Sequence, residues 1–390
     1  VLQTIYDAGE ISRADLARVT HLTRTTVSDV VNSLVEQQLV EEVGRGPVGV
    51  GRTPTLLSIV EDARHVIALN ITTTELHGAR VSLRGGIRRR ERMSLAGMDG
   101  DAVLEQLGPF IDRLTQADDS RLLGIGISTP GLIDTTHGVI RQAVYFGWQD
   151  VPLRDMLQTR YNLPIYVAND GQTAALAEYM FGQGKPAANM VVVKVEQGIG
   201  AGIILHGQLF TGDTFGAGEI GHVVVEENGL PCKCGNTGCL ETVASVPSIM
   251  HRAWLLAQRD SNSPLHLATR DNGARGNGSL SFDAVVQAFR AGDPAVRQIV
   301  TAIGRYLGIG VASLIAILGV QRVVITGQVA AFGDTLRDAV REEAHRRVLP
   351  TLAQKVVIEV IEQSPDTVLL GAAALLLTNE LGLSRMRVSG

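Results

Sequence analysis

All three cysteines of this chain, Cys232, Cys234 and Cys239, fall within eight positions, and His222 stands ten positions ahead of the first. Three thiolates and one imidazole make a complete ligand set for a tetrahedral metal ion, and zinc takes such sets in closed structural sites. Gly235 and Gly238 lie among the close-set cysteines, where glycine lets the backbone turn tightly enough to aim several sulfurs at one point. A disulfide is a poor competitor, because Cys232 and Cys234 are too close in sequence to bridge easily and an odd count leaves one thiol over. The reading is a structural zinc on His222, Cys232, Cys234 and Cys239. Glu219 and Glu241 bracket these ligands, so an ion that pins the segment also pins two carboxylates. Converging acids and an imidazole suit a hydroxyl-rich ligand, and the segment is therefore a candidate sugar site.

A chain of 390 residues has room for two or three domains. Its 45% hydrophobic and 19% charged residues exclude disorder over the whole length. Aromatic residues amount to 4%, which argues against recognition of nucleic acid by base stacking, and a formal charge of -5 shows no bulk basicity. No secretory pattern opens the sequence at Val1–Tyr6. The most apolar run, Leu307–Val320, is shorter than the roughly 18 residues a membrane helix needs. The expectation is a cytoplasmic protein in which that run is a buried core helix.

Residues 1 to about 40 carry helical periodicity in three short pieces. Ser12 is placed to cap a helix containing Ala14, Leu16, Ala17 and Val19, and Thr23 to cap another containing Val27, Val30, Val31, Leu34 and Val35. Two short helices separated by His21 and Leu22 predict a helix-turn-helix, whose second helix enters the major groove of DNA. With Val27, Val30, Val31 and Leu34 on its apolar face, that helix turns Arg24, Thr25, Thr26 and Ser28 outward, side chains suited to base and phosphate contacts. Residues 39–43 and 55–59 read as strands around a tip rich in glycine and arginine. This is a wing whose Arg45 and Arg52 would reach phosphate or a narrow minor groove. Residues 1–60 hold five arginines against seven acids, so the placement of the arginines, and not net charge, favours DNA.

From about residue 61, strands and helices alternate. Strands over 65–71, 76–83 and 88–95 precede a helix over 101–116, a strand over 122–128, a helix over 153–161, a strand over 165–168 and a helix over 171–181. The scheme restarts with strands over 190–195, 202–205 and 208–211 and is interrupted by the cysteine segment. It resumes with helices over 246–258, 282–291 and 294–318, a strand over 322–326, a helix over 334–348, a strand over 356–361 and a last helix over 367–381. Residues 261–279, rich in Asn, Gly and Ser, read as a loop. Two copies of a three-strand-plus-helices unit predict a two-lobed α/β protein with a ligand-binding cleft.

Over nearly its whole length the chain resembles the ROK family of repressors, open reading frames and sugar kinases. The resemblance is carried by Gly218-Glu219-Ile220-Gly221-His222, by the run from Cys232 to Glu241, by Asn169-Asp170 after a strand, and by Pro130-Gly131-Leu132-Ile133-Asp134. It implies an actin-like sugar-kinase fold of two ribonuclease-H-like lobes behind an N-terminal winged helix-turn-helix. The boundaries are then 1–60 for the DNA-binding domain, 61–184 for a first lobe completed by 367–390, and 185–366 for a second lobe with the zinc segment and a dimerisation surface. By the same resemblance, Asn169, Asp170, Glu219, His222 and Glu241 hydrogen-bond sugar hydroxyls, His222 while also bound to zinc. In family kinases the aspartate matching Asp170 is the general base.

Two departures bear on catalysis. Family kinases place Asp-x-Gly-x-Thr after the first strand, where this chain has Asn70-Ile71-Thr72-Thr73-Thr74. Asn70 removes a carboxylate that helps place magnesium, and Thr72 puts a branched side chain where glycine lets phosphate approach. In the second phosphate loop a Gly-Thr pair is replaced within Glu196-Gln197-Gly198-Ile199-Gly200, and Glu196 repels triphosphate. The expectation is a non-enzymatic repressor of carbohydrate metabolism or uptake genes, responsive to a sugar or a sugar phosphate, that binds operator DNA as a homodimer or homotetramer, without contact to a membrane, and keeps Asp170 as a vestige of the kinase base. A sugar kinase with an accessory DNA-binding domain is the alternative, and an adaptor to a transport protein is a third reading.

Overall fold

The computed structural model describes every residue except 47–52, 116–119, 183–186, 260–262, 268–279, 363 and 384–390. The chain divides into two compact units, Val1–Ala188 with Pro365–Gly390, and Asn189–Ser364.

The first unit opens with a winged helix-turn-helix made of α1 (Leu2–Ala8), β1 (Ile11–Ser12), α2 (Arg13–Thr20), α3 (Arg24–Glu36), β2 (Val40–Arg45) and β3 (Thr55–Ile59). The Ser12 hydroxyl accepts from the Asp15 N–H and the Thr23 hydroxyl from the Thr26 N–H, so both helices start at their predicted caps. The head's sheet has the order β1-β3-β2. Its short strand at Ile11–Ser12 pairs with Leu57 and Leu56, and two residues are too few to show alternation in the sequence. Val27 and Val31 are fully buried, but Val30 is 37% exposed, a correction to the predicted apolar face. Positions 27, 31 and 34 follow one helical stripe, and Val30 falls at its edge. Arg52 and the wing tip lie outside the described residues, as does most of the loop expected at 261–279.

The head shares one hydrophobic core with the sheet behind it and with the C-terminal helix. Ile5, Leu16, Val31 and Leu57 belong to the same cluster as Val66, Val81 and Leu83, and as Leu369, Ala372 and Leu376 near the C terminus. Tyr6 Oη donates to Leu83 O at 3.1 Å, and the Arg84 guanidinium donates to Tyr6 O at 3.1 Å while lying over the Tyr6 ring. Burial pushes the Tyr6 hydroxyl pKa up to about 12.

Behind the head come β4 (His65–Ile71), β5 (Glu75–Ser82), β6 (Ile87–Ser94), α4 (Gly100–Leu114), β7 (Leu122–Thr129), β8 (Leu132–Asp134), β9 (Val139–Ala143), β10 (Trp148–Val151), α5 (Leu153–Tyr161), β11 (Ile165–Asn169) and α6 (Asp170–Phe181). The main sheet runs β11-β7-β4-β5-β6, with β4, β7 and β11 parallel. Strands β8 to β10 form a small antiparallel sheet that the sequence pattern does not announce, because strands of three to five residues between turn residues leave little period to detect.

The second unit holds β12 (Met190–Val195), β13 (Ile199–Leu205), β14 (Gln208–Phe210), α7 (Leu240–Ala244), α8 (Val246–Arg259), α9 (Phe282–Arg290), α10 (Pro294–Leu318), β15 (Arg322–Gly327), α11 (Gly333–Arg347), α12 (Pro350–Ala353) and β16 (Val357–Val360). Its sheet runs β14-β13-β12-β15-β16. Helix α10 has the length and composition of a membrane span. Its Val296, Val300, Ile303, Leu307, Val311 and Ile315 are nevertheless buried in the unit's own core.

The chain returns to the first unit in α13 (Pro365–Leu381). Helix α13 crosses α6 at backbone contact: a Cβ on Gly371 would fall 1.9 Å from Thr173 O, and one on Gly126 of β7 would fall 1.9 Å from Ala372 O. Glycine at these two places is a packing requirement.

Candidate functional site

The residues between β14 and α7 have almost no regular structure. They form a 3-10 turn at Ile220–His222 and two isolated bridges, Val224 to Cys239 and Pro231 to Thr237. Two glycines lay this segment against β13. A Cβ on Gly218, whose φ is +99°, would sit 1.9 Å from Ala201 O, and one on Gly221 would sit 2.2 Å from Ile199 O. Glu219 lies between them. At the far end Gly238, with φ +73°, passes so close to Glu226 O that a Cβ would fall 1.7 Å from it.

The ligand atoms of His222, Cys232, Cys234 and Cys239 lie within 4.8 Å of one another. Cys234 Sγ and Cys239 Sγ are 3.7 Å apart, and Cys232 Sγ and His222 Nδ1 are 3.6 Å apart. A tetrahedron with zinc–sulfur bonds of about 2.3 Å and a zinc–nitrogen bond of about 2.0 Å has edges of roughly 3.5–3.8 Å, so the group fits zinc. The Asn236 backbone N–H pulls the exposed Cys234 thiol down, whereas burial pushes Cys239 up to about 12. A buried thiol of that kind becomes a ligand when a cation supplies the counter-charge. The imidazole meets the sulfurs through Nδ1 and turns Nε2 toward Glu219 Oε2, 3.8 Å away. Nδ1 is thus placed for the metal, leaving the Nε2 side for other partners.

Glu241, in the first turn of α7, accepts from the Ile199 N–H through Oε2 at 3.0 Å. Glu219, His222 and Glu241 are therefore gathered around the start of β13. The anchoring role of Ile199 was not legible in the sequence, because a backbone N–H leaves no residue signature.

In the first unit, Asn169 and Asp170 stand where β11 passes into α6. Asn169 Oδ1 accepts from the Gly171 N–H at 2.8 Å, its Nδ2 donates to Gly131 O at 2.8 Å, and its own N–H donates to Gln172 Oε1 at 3.2 Å. The amide caps the helix and ties it to the Pro130-Gly131 turn, a structural reason for asparagine here beside the expected sugar contact. A Cβ on Gly131 would meet Gln142 O at 2.3 Å, which seats the turn on the small sheet. Asp134 closes that sheet, accepting from the His137 N–H at 3.0 Å and from Arg141 at 2.6 Å.

The loop after β4 is closed on itself. Thr72 Oγ1 accepts from the N–H groups of Thr74 at 3.3 Å and Glu75 at 2.9 Å and donates to Glu75 O at 2.9 Å. Asn70 is buried with its Oδ1 unpartnered. In the loop before β13, Glu196 pairs with Lys194 at 2.8 Å.

On the head, Arg24, Thr25, Thr26 and Arg45 are exposed and Ser28 is half-buried. Arg13 is paired with Glu42 and Arg18 with Asp15, each at 2.7 Å. Among the described residues, Arg24 and Arg45 form no ion pair.

Residues 66–379 match the family model described as ROK family, and residues 1–48 match one described as MarR family. The chain is 29% identical to the xylose repressor of Caldicellulosiruptor bescii, over 98% of this chain and 95% of that protein. It is 32% identical to the glucokinase of Halalkalibacterium halodurans, over 83% of this chain and 98% of that protein. A solved ROK family transcriptional regulator, described as a homolog of the E. coli MLC protein, has a TM-score of 0.81 at 26% identity, covering 96% of this chain and 94% of that one. A DNA-binding segment of MarR type thus precedes a domain whose family match spans most of the sequence, and the chain belongs to the ROK family.

Proposed function

We propose that this protein is a sugar-responsive transcriptional repressor that acts in the cytoplasm as a homodimer or homotetramer. Its winged helix-turn-helix binds operator DNA through Arg24, Thr25, Thr26 and Ser28, with Arg45 and Arg52 on the wing. Sugar hydroxyls are held by Asn169, Asp170, Glu219, His222 and Glu241, and zinc on His222, Cys232, Cys234 and Cys239 keeps the last three in place. The sugar changes operator affinity by binding one conformation better than another.

The observation that carries this reading over a kinase is the closed loop after β4. Backbone N–H groups at such turns are what hold a phosphate, and here the Thr72 hydroxyl takes two of them. The matches that span nearly the whole chain point the same way, since they are to regulators. The retained Asp170 and the glucokinase match favour the kinase alternative. Mobility shift on the DNA upstream of the protein's own gene, with and without a panel of sugars, tests the repressor. In a coupled ADP-release assay with Mg-ATP, turnover of roughly 1–100 per second would restore the kinase reading.

A further inference from the structure

The second unit carries a cavity of about 490 Å³ beside the zinc segment, within the range of small-ligand sites, whose lining combines Glu241 and Thr242 with Lys233, Ser248, His251 and Arg252 beside apolar residues such as Leu230 and Pro231. Ser248, His251 and Arg252 are spaced three and four positions apart on α8, so they share one face of that helix. Ser248 lies in its first turn, where the helix dipole favours an anion. Lys233 projects from between two of the cysteines. Among the described residues none of the three basic side chains has a carboxylate partner. Arg252 lies over the Tyr306 ring, and Tyr306 in turn donates to Glu226. The acid of the cavity itself is Glu241, which is held by the Ile199 N–H.

We propose that this cavity is an anion subsite and that the effector is a phosphorylated sugar, with hydroxyls toward Glu241 and the phosphate on Lys233, His251 and Arg252. A phosphate monoester carries about −1.5 to −2 charges near neutral pH and three strong acceptor oxygens, which matches three basic groups and a hydroxyl and is repelled by Glu241 if the ligand is turned round. This assignment rests on Glu241 as a sugar contact. It narrows the effector from a sugar or sugar phosphate to the phosphorylated form and adds three residues that the resemblance does not carry.

The test uses the zinc-loaded full chain. Pentoses, hexoses and N-acetylhexosamines, each with its 1-phosphate and terminal phosphate, together with inorganic phosphate and a sugar acid, are scored by thermal shift and calorimetry. The proteins are wild type, Lys233→Gln, Arg252→Lys and the double variant Lys233→Gln/Arg252→Gln. The expected result is that one sugar phosphate binds wild type about tenfold or more tighter than its neutral sugar. The double variant should lose that margin while keeping its zinc and its affinity for the neutral sugar, and Arg252→Lys should keep part of it. Tighter binding of the neutral sugar, or variants that leave the phosphate margin intact, overturns the subsite and leaves the sugar-sensing reading standing. If the sugar acid replaces the phosphate, the phosphate assignment fails. If neither neutral nor charged sugars bind wild type, the proposed function itself fails, and the subsite with it.

Discussion

The proposed sugar contacts are held by two opposite kinds of construction. Asn169 and Asp170 stand at the join of a parallel strand and a helix, where the ladder of β11 on β7 and the capping amide of Asn169 fix the backbone. Glu219, His222 and Glu241 stand on a segment with a 3-10 turn, two bridges and a five-residue helix. The first group is placed by secondary structure and by α13 packing on α6. The second is placed by close glycine contacts and, on our reading, by a metal. Regular structure is stabilised cooperatively by many small terms, whereas a cross-linked loop depends on a few ligands.

The widest separation between the two constructions should follow from removing the metal. The double variant Cys232→Ser/Cys234→Ser is expected to lose zinc, and hydrogen exchange should quicken over residues 219–241 while residues 165–181 keep their protection. Sugar affinity should fall on the order of 10- to 100-fold, the usual scale for displaced supports around a metal site. Equal loosening of both stretches, or of neither, would break the comparison.

A methyl group added at the packing contact of the other construction should act on stability. Gly371→Ala pushes α13 off α6, at a cost of about 1–3 kcal/mol typical of overpacking. Because the head shares a core with α13, operator binding should become more heat-sensitive in the same variant. Gly218→Ala, an equally close contact with a positive φ, should instead weaken sugar binding and zinc retention. Identical phenotypes for the two would show that the constructions are not separate.

Asp170→Asn removes charge without removing shape. Loss of a hydrogen bond to a charged group corresponds to roughly a tenfold drop in sugar affinity. Zinc content and the melting temperature should not move. A change in zinc content would mean that the two groups of residues are coupled in a way neither unit displays by itself.

The legibility of these features in the sequence divides along the same line. The periodic elements could be read: α10 spans the predicted residues 294–318, and α2 and α3 start at their predicted caps, Ser12 and Thr23. The metal ligands could be read because chemistry restricts which residue types bind zinc. Contacts made by the backbone could not. The Ile199 N–H on Glu241, Gly131 O on Asn169 and the small sheet β8 to β10 depend on where a peptide group happens to lie, and many sequences place one there. The Thr72 turn is intermediate. The substitution was visible, but the capture of two N–H groups by its hydroxyl needed coordinates.

The smallest effect tests the link from the first construction to DNA. Tyr6→Phe deletes the hydroxyl that donates to Leu83 O, and a single hydrogen bond of this kind contributes about 0.5–1.5 kcal/mol. The same hydroxyl titrates near 12 in the folded protein, against about 10 for an unfolded tyrosine. Between those values the folded state holds the proton more tightly, so the contribution is complete below about pH 10 and is lost as pH rises toward 12. Urea unfolding followed from about pH 8 to about pH 11.5 should therefore show a wild-type advantage at the lower pH that shrinks at the alkaline end. Operator affinity near neutral pH should change little, since the shared core and the Arg84 contact still seat the head. A large loss of operator affinity with no change in unfolding would mean that this hydroxyl orients the head, and that the shared core does not.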